Sequence, residues 1–374
     1  MGIIKYAGVI AAMFVLSMGA SGQESDCWGN FRGDVQLSGV SSAELPDNPS
    51  LIWSFKADDG IKAAPVVCGG LVVVGTLEGS LYGIRTDGTL GWKIMTENSI
   101  EAPALIVDNV VYSGNLDGKV YALDLQTGSI LWTYLTDNQV MGSPTYYRKG
   151  RQSVLLQGSY DYYLHAIDPS TGEGLWKYET DNFINGASAI YDGMAIFGGC
   201  DGALHMVDAL EGEVEASLAI STYVASSAGV DGDFAYVGDY DGRFSAVDLK
   251  NQRVAWVFEN PDANLPFLAS PAVEGDHVYV GNRDKNFYCL NKNTGDLVWK
   301  YNTGARVDAS AVVYGDRVLT ANMRGDLFIF DRESGEPVWT YELGIPVHSN
   351  PAVVDGRFYV AADDGRVYCF GIKK

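Results

Sequence analysis

Short runs of alternating apolar and polar residues, broken by glycine-containing turns, cover most of the chain. In the first clear unit, apolar runs at residues 61–67, 71–75, 81–84 and 90–94 are separated by turns that each contain glycine. Alternation with a period of two is typical of half-buried strands, and Asp-Gly between such runs signals a hairpin whose two central residues take φ > 0. The pattern predicts four antiparallel strands per unit and almost no helix outside the N-terminus.

This unit recurs about every 40 residues, and its fullest form is D-G-K-V-Y-A-L-D-L-Q-T-G-S-I-L-W at residues 117–132. The last strand of each unit carries a tryptophan, except one that carries alanine; these positions are Trp53, Trp92, Trp132, Trp176, Ala216, Trp256, Trp299 and Trp339. A period near 40 built from short strands is typical of a propeller or a solenoid. We expect the tryptophans to wedge between neighbouring units and to be structural.

The two ends of the repeat region predict how the array closes. The last unit stops near residue 370, after its third strand, whereas the first tryptophan strand, at residues 51–55, precedes any first strand. Pairing these two segments would complete one unit and leave no orphan strand edge. The sequence therefore predicts an all-β fold over residues 51–374: an eight-bladed β-propeller of four-stranded antiparallel blades, closed by the N-terminal strand.

The blade motif resembles the pyrroloquinoline-quinone (PQQ) repeat, and the resemblance spans about residues 51–370. The segment C-W-G-N-F-R-G at residues 27–33 also resembles the W-x-x-F-R-G leader that precedes many exported propellers of this kind. The repeat builds both quinoprotein dehydrogenases and the outer-membrane assembly lipoprotein BamB. The resemblance therefore implies a fold directly, but a function only as a choice between these two classes.

The N-terminus predicts export. Residues 1–22 combine Lys5, an apolar run at residues 6–18 and a small-residue site before Gln23, which is typical of a secretory signal peptide. The alternative, a membrane anchor, needs a run of about 20 residues. Residues 24–26 before Cys27 do not resemble a lipoprotein box. We expect a soluble periplasmic or extracellular protein with no transmembrane span after cleavage, and a leader at residues 23–50.

The charge composition limits which classes of molecule the protein can bind. The chain has 47 acidic and 26 basic residues, a net charge of −21 and a pI near 4.4. Such a surface repels phosphate backbones, so we expect no nucleic-acid binding. The charge serves solubility, with calcium or a basic partner as the alternatives. The five cysteines suit an oxidising compartment, but we expect them to be small buried residues, with Cys289 and Cys369 in non-adjacent blades.

Three registers can be followed through all eight units. The apolar register is Ile61, Ile100, Val140, Ile184, Val224, Phe267, Val307 and Val347. Fourteen residues further on, or eighteen in the third unit, the small register is Gly75, Gly114, Gly158, Gly198, Gly238, Gly281, Ala321 and Ala361. The residue after each apolar one forms the ring register: Lys62, Glu101, Met141, Asn185, Ala225, Leu268, Asp308 and His348. Strand alternation points the ring register away from the apolar one.

The ring register is the candidate site. Asp308, His348, Lys62 and Glu101 fall in consecutive blades and form a charged arc, and Asn185 lies on the opposite, mostly apolar side. One interpretation is a channel-mouth pocket that binds a ligand or peptide through these five residues. The other is that channel-facing side chains contact water and pair with their neighbours.

No catalytic residue, cofactor or metal site is expected. The PQQ resemblance implies adjacent bridged cysteines, calcium ligands and a catalytic aspartate; no two cysteines are adjacent here, and only Asp308 and Asn185 offer themselves as ligands. His165 and His205 occupy a tyrosine slot of the scaffold, and residues 160–163 form a candidate aromatic loop.

The leading hypothesis is a monomeric, non-catalytic, BamB-like protein-binding or scaffolding module of the cell envelope. The alternatives are a PQQ-dependent dehydrogenase-like oxidoreductase and, with only tyrosine and tryptophan richness behind it, a carbohydrate-binding propeller.

Overall fold

The computed structural model describes residues 27–224 and 226–373. The predicted signal peptide, residues 1–22, lies outside this part of the chain. Within it no residue is helical, and no helix long and apolar enough to cross a membrane occurs.

The described residues form eight four-stranded antiparallel sheets, as the repeat predicted. The leader adds β1 (Val40–Ser41), and β2 (Ser50–Lys56) follows it. Blade 1 is β3 (Val66–Cys68), β4 (Leu71–Gly75), β5 (Ser80–Arg85) and β6 (Leu90–Met95); blade 2 is β7 (Leu105–Val107), β8 (Val110–Gly114), β9 (Lys119–Asp124) and β10 (Ile130–Leu135). Blade 3 is β11 (Thr145–Lys149), β12 (Gln152–Gly158), β13 (Tyr163–Ile167) and β14 (Gly174–Glu179); blade 4 is β15 (Ala189–Tyr191), β16 (Met194–Gly198), β17 (Ala203–Asp208) and β18 (Val214–Ala219). Blade 5 is β19 (Gly229–Asp231), β20 (Phe234–Gly238), β21 (Arg243–Asp248) and β22 (Arg253–Glu259); blade 6 is β23 (Ala272–Glu274), β24 (His277–Gly281), β25 (Asn286–Asn291) and β26 (Leu297–Asn302). Blade 7 is β27 (Val312–Tyr314), β28 (Arg317–Ala321), β29 (Asp326–Asp331) and β30 (Pro337–Glu342); blade 8 is β31 (Ala352–Val354), β32 (Arg357–Ala361) and β33 (Arg366–Gly371), completed by β2.

The ring closes through β2, as predicted from the chain ends. β2 pairs antiparallel with β33, placing Trp53 opposite Cys369 and Phe55 opposite Val367. The first strands of neighbouring blades contact one another, which places them innermost, around the axis. Blade 8 therefore joins the N-terminal and C-terminal parts of the propeller, and its third strand, β33, is paired on both sides, with β32 and with β2.

The inner part of each blade interlocks with the next through the apolar and small registers. Every apolar-register residue is at most 1% exposed. A Cβ built on Gly75 would lie 2.2 Å from Cγ2 of Ile100, and one on Gly114 would lie 2.2 Å from Cγ1 of Val140. Glycine in the second strand therefore makes room for the apolar residue of the following blade. Close packing of this kind leaves no space for an added methyl group.

The outer part interlocks through the tryptophans. The Trp92 Nε1–H donates to the Leu125 carbonyl of blade 2 at 2.7 Å, and a Cβ on Gly128 would lie 2.7 Å from Trp92 Cδ2. The same ring-on-glycine contact recurs around the propeller, in the pairs Trp53–Gly88, Trp132–Gly172, Trp176–Gly212, Trp256–Gly295 and Trp299–Gly335. This contact explains the T-G of the repeat motif and confirms that the tryptophans lie between blades.

The interface between blades 4 and 5 lacks both the tryptophan and the glycine of this contact. Ala216 replaces the tryptophan of blade 4, and the turn that would meet it in blade 5 has Gln252, with φ +51°, in place of glycine. Because no indole approaches this turn, a side chain is accommodated there. The glycine is thus required by the tryptophan it covers rather than by the turn alone.

The prediction for the Asp-Gly turns is wrong in one respect. Gly118 has φ +80°, but Asp117 is not among the residues with positive φ, and the Gly118 N–H donates to the Asn115 carbonyl at 3.1 Å. This is a type I turn closed by one left-handed glycine, an arrangement that three-residue hairpins favour. Two consecutive positive φ values occur instead in the first hairpin of the blade, at Gly69 and Gly70.

The leader, residues 27–49, follows the inner strands around the ring, which the sequence did not predict. Its backbone exchanges two hydrogen bonds between Trp28 and Val67 of blade 1, at 2.6 and 2.9 Å. It then accepts one N–H from each of five further blades, donated by Ile106, Ile190, Val230, Val273 and Val313, and Ser41 Oγ–H donates to the Val353 carbonyl of blade 8. Among the described residues this one segment therefore bonds to seven of the eight blades.

Two side chains fasten the leader. Cys27 forms a disulfide with Cys68 at the end of β3, and these two are half-buried rather than the buried residues expected. Cys200, Cys289 and Cys369 are free and buried, the last two in blades 6 and 8 as predicted. The buried Arg32 donates from Nη2 to the Pro271 carbonyl at 2.8 Å. Burial lowers the Arg32 pKa to about 9, against the opposing attraction of Asp34.

We predict that Gly128→Ala destabilises the protein far more than Gly150→Ala. Both glycines have positive φ, +69° and +63°, but nothing lies within 4 Å of a Cβ at Gly150. The Gly150 change should cost about 1 kcal/mol for the left-handed backbone, and the Gly128 change about 3 kcal/mol because the methyl also strikes Trp92. Denaturant unfolding of the two variants measures the difference; equal losses would contradict the interlock.

Removing the disulfide should loosen the leader. The double change Cys27→Ser, Cys68→Ser should lower the free energy of unfolding by about 3 kcal/mol. A reductant should lower the melting temperature of the wild type and leave that of the double variant unchanged. Reductant-insensitive melting of the wild type would contradict a stabilising role for this bond.

Candidate functional site

The ring register meets in one axial cavity of about 190 Å³. Seven of its members line that cavity: Lys62, Glu101, Met141, Asn185, Leu268, Asp308 and His348. The eighth, Ala225, lies outside the described residues. Small side chains of the segments that lead into the inner strands continue the lining, among them Ser143, Ser227, Ser270 and Ser310. The geometry thus brings together all five candidate site residues at the cavity, while their role in binding stays a prediction.

The cavity has two unlike ends. The ring register precedes the inner strands, whereas the leader bonds to the middle residue of the inner strands it contacts, at Val67 in blade 1, five residues after Lys62. Phe31 of the leader is part of the cavity lining. We call the ring-register end the mouth and the leader end the floor.

The charged half of the mouth is internally paired. Lys62 Nζ lies 3.1 Å from Glu101 Oε2, and His348 Nε2 lies 3.4 Å from Asp363 Oδ2. Since Lys62 and Glu101 pair with each other and His348 faces a carboxylate, the structure fits the interpretation in which channel-facing residues pair. Pairing does not exclude binding, because Lys62 and His348 remain partly exposed to solvent.

Asp308 is held by two arginines that the ring register did not reveal. Arg283 donates from Nε and Nη2 to the two carboxylate oxygens at 3.1 and 3.0 Å, and Arg306 Nε lies 3.5 Å away. Such bidentate pairing is strong and directional. The hydrogen bonds to Asp308 raise the Arg283 pKa, against some burial. The mouth therefore carries guanidinium groups on one side.

These arginines occupy two further registers that vary from blade to blade. Arg283 lies in the turn between the second and third strands, and Arg306 immediately precedes the apolar register. Pro266 is the blade 6 equivalent of Arg306, and Met323 is the blade 7 equivalent of Arg283. The Arg283 N–H donates to the Pro266 carbonyl, and the Met323 N–H donates to the Arg306 carbonyl, so the two registers are backbone neighbours. Reading both along the repeat would have found them.

The other half of the mouth is aromatic. Asn185 is hydrogen-bonded by the Tyr160 hydroxyl and donates from Nδ2 to the Tyr223 hydroxyl at 3.2 Å. Tyr160 stacks on Phe183 with ring centroids 4.5 Å apart, and Tyr223 meets Tyr240 edge to face at 5.1 Å. Burial raises the pKa of Tyr160 and of Tyr223, so both hydroxyls keep their protons. Of the predicted aromatic loop, Tyr160 is the residue that reaches Asn185.

The scaffold histidines are enclosed between blades, away from the ring register. His165 Nδ1 lies 3.0 Å from the Tyr134 hydroxyl and its Nε2 lies 2.9 Å from Asp161, an arrangement that His205 repeats with Tyr178 and Asp201. Burial lowers the His205 pKa, although Asp201 opposes this. Both side chains have the buried, partnered character expected of scaffold residues.

The two candidate calcium ligands, Asp308 and Asn185, do not fit a calcium site. Asp308 faces two guanidinium groups, which repel a cation, and Asn185 is engaged by two tyrosines three blades away. Calcium prefers six or more oxygen ligands gathered together. Within the described residues no group of three or more His, Cys, Asp or Glu side chains is placed to hold a metal ion.

Comparisons with known proteins agree with the repeat. The family model described as "Outer membrane protein assembly factor BamB" matches residues 45–258, 161–314 and 283–374. The search of curated proteins found no significant match.

Solved structures of similar shape include members of two functional classes. BamB from Moraxella catarrhalis is 19% identical, with a TM-score of 0.72 over 87% of this chain and 98% of that chain. The quinohemoprotein alcohol dehydrogenase from Comamonas testosteroni is 13% identical, with a TM-score of 0.79 over 94% of this chain and 81% of that chain. A europium-containing methanol dehydrogenase is 12% identical, with a TM-score of 0.79 over 94% and 99% of the two chains. At these identities the likeness establishes the fold and does not choose between the classes.

Proposed function

Because the chain belongs to the family of the outer membrane protein assembly factor BamB, we propose that it is a non-catalytic, exported propeller that binds a protein partner at the mouth. The single observation that carries the proposal is the division of the mouth into a half with arginines and paired charges and a half with tyrosines. Tyrosine and arginine are the side chains most enriched at protein interfaces. The five ring residues Lys62, Glu101, Asn185, Asp308 and His348 lie at the centre of this surface.

The chemistry of the mouth supports binding rather than turnover. Asp308 accepts hydrogen bonds from Arg283 and faces Arg306, so its carboxylate is occupied by cations. A general base must instead reach a substrate proton. The tyrosine hydroxyls of the other half are protonated and hydrogen-bonded to Asn185, which suits them to recognition.

An envelope location supports the same proposal. The Cys27–Cys68 disulfide is of a kind that persists in oxidising compartments such as the periplasm or the extracellular space. With a net charge of −21, copies of the chain repel one another, which favours a monomer and a basic partner surface.

A dehydrogenase-like activity is the second candidate, favoured by the shape shared with two alcohol dehydrogenases. Adding PQQ and calcium to the purified protein, and following dye reduction with a primary alcohol, tests it directly. We expect no bound chromophore and no dye reduction. Calcium-dependent reduction that survives extensive dialysis would replace the binding proposal with an enzymatic one.

Photocrosslinking from the mouth tests the binding proposal. A photoreactive phenylalanine derivative at Tyr240, which is 47% exposed, should form a protein adduct in the cell envelope. The same derivative at Val257, on the outer strand of the same blade and 48% exposed, is the matched control. An adduct from Val257 alone, or none from Tyr240, would contradict a partner at the mouth.

The ring residues should decide whether that adduct forms. Asp308→Ala with His348→Ala should reduce the Tyr240 adduct about tenfold, the effect of losing roughly 1.4 kcal/mol of binding. The control pair Asp316→Ala with His277→Ala removes the same two side-chain types from hairpins between first and second strands. It should leave the adduct unchanged; equal losses in both pairs would deny the ring a specific role.

A further inference from the structure

The outermost strand of each blade is an open edge. Among the described residues, the fourth strand of every sheet has one hydrogen-bonded neighbour, and its other side is unpaired. Such an edge presents free N–H and C=O groups to any extended chain, and proteins usually protect it with charged side chains. The eight edges of this propeller can be compared position by position, because the tryptophan or Ala216 marks the same place in each.

Seven of these eight edges are protected by charge and one is not. Counting within the outer strands that the structure describes, the charged residues are Lys93 in blade 1, Lys177 and Glu179 in blade 3, Glu215 in blade 4, Arg253 and Glu259 in blade 5, Lys300 in blade 6, Glu342 in blade 7 and Lys56 in blade 8. β10 of blade 2, with the sequence ILWTYL, has none. It is the exception in a protein whose surface is otherwise strongly acidic.

Three of the four side chains that β10 presents to solvent are apolar. Ile130, Leu131 and Leu135 are 51%, 55% and 61% exposed, and Thr133 between them is exposed as well. Trp132 and Tyr134 alternate with them and turn inward, toward Pro169 and His165 of blade 3. The core cluster here includes Trp132 and Tyr134 but none of the three exposed apolar residues. Outer strands of other blades also expose apolar residues, such as Leu175 and Val214, but among the described outer strands only β10 combines them with no charged residue. Exposed apolar clusters on a soluble protein mark contact sites.

The charged residues near β10 indicate which kind of chain can pair with its free edge. Leu135 pairs with Lys119 of β9, whose Nζ contacts the exposed Glu97. Exposed Asp137 follows Leu135 by two residues, and exposed Asp117, in the turn before β9, accepts a hydrogen bond from Asn98. A second copy of the chain would bring another net charge of −21 and the same carboxylates to this edge. Charge therefore disfavours pairing of two β10 strands and favours a basic chain.

We propose that β10 is a docking edge for an extended, basic segment of a partner protein, which adds to blade 2 as a fifth strand. Backbone hydrogen bonds to the free edge supply the register, and alternate apolar side chains of the segment cover Leu131 and Leu135. Lysine or arginine at one end of the segment lies beside Asp117 and Asp137. This surface lies on the outer rim and is separate from the mouth, so the two sites can be tested independently.

The test uses a fluorescent peptide of about ten residues in which valine alternates with lysine, a length that spans one strand. Its binding to the full protein is followed by fluorescence anisotropy. Thr133→Lys places a charge in the middle of the edge, and Thr340→Lys places the same charge at the matching position of β30, which Glu342 already protects. The two variants have equal net charge, so only the location differs.

We expect Thr133→Lys to weaken peptide binding at least about tenfold and Thr340→Lys to change it less than about twofold, a separation of roughly 1 kcal/mol or more. A peptide N-methylated at alternate residues should not bind, because its edge hydrogen bonds are blocked. Equal binding to both variants, or undiminished binding of the methylated peptide, would overturn the proposal. So would sedimentation showing a wild-type dimer that Thr133→Lys dissociates, since the occupant would then be a second copy.

Discussion

Closure of the ring is the constraint on which the rest of this structure depends. Each blade is a twisted sheet with two apolar faces, and both are covered by neighbouring blades. The pairing of β2 with β33 supplies the eighth blade with its outer strand and removes the free strand that an open array would leave. Once the ring is closed, the inner interlock, such as Ile100 against Gly75, and the outer one, such as Trp92 against Gly128, repeat around the circle with little freedom to vary.

The leader adds a second continuous connection, of a different kind. It does not extend any blade by more than the short β1, yet among the described residues its backbone bonds to six blades and its Ser41 side chain to a seventh, and the disulfide at Cys27 fixes its start to blade 1. Because one covalent segment is bonded to many blades, separating neighbouring blades requires breaking its hydrogen bonds as well as the contacts between the blades. It also contributes Phe31 to the cavity, so the floor and the mouth differ in chemistry.

The repeat made most of the fold predictable, because each register is written eight times in the sequence. The blade count, the closing strand and the interblade role of the tryptophans followed from spacing alone. The leader was not predictable in the same way, since Trp28 and Cys27 belong to no register and their partners lie 39 and 41 residues away. The type of the Asp-Gly turn was also missed, because the dipeptide fits both a two-residue and a three-residue hairpin.

The candidate site was predictable only in part, for a related physical reason. The ring register gave five residues that do meet at the mouth, but a single register describes one level of the channel. Arg283 comes from a turn of the preceding blade and approaches Asp308 only after the chain folds, whereas Arg306 is two residues away from Asp308 but belongs to a register that varies between blades. Positions that hold the blades together are nearly constant from unit to unit, whereas the mouth and the outer edges vary. A propeller of this kind can therefore change its binding surfaces at the variable registers while the constant registers preserve the fold.

Native-state hydrogen exchange of blade 8 tests the closed ring most directly. If β2 and β33 complete a ring that opens as one unit, the slowest amides of β31, β32 and β33 should share the opening free energy and denaturant dependence of those in β16 and β17 of blade 4. A distinctly lower opening free energy for blade 8, with a small denaturant dependence, would show that it detaches by itself. Closure would then not be the interaction on which the other blades depend.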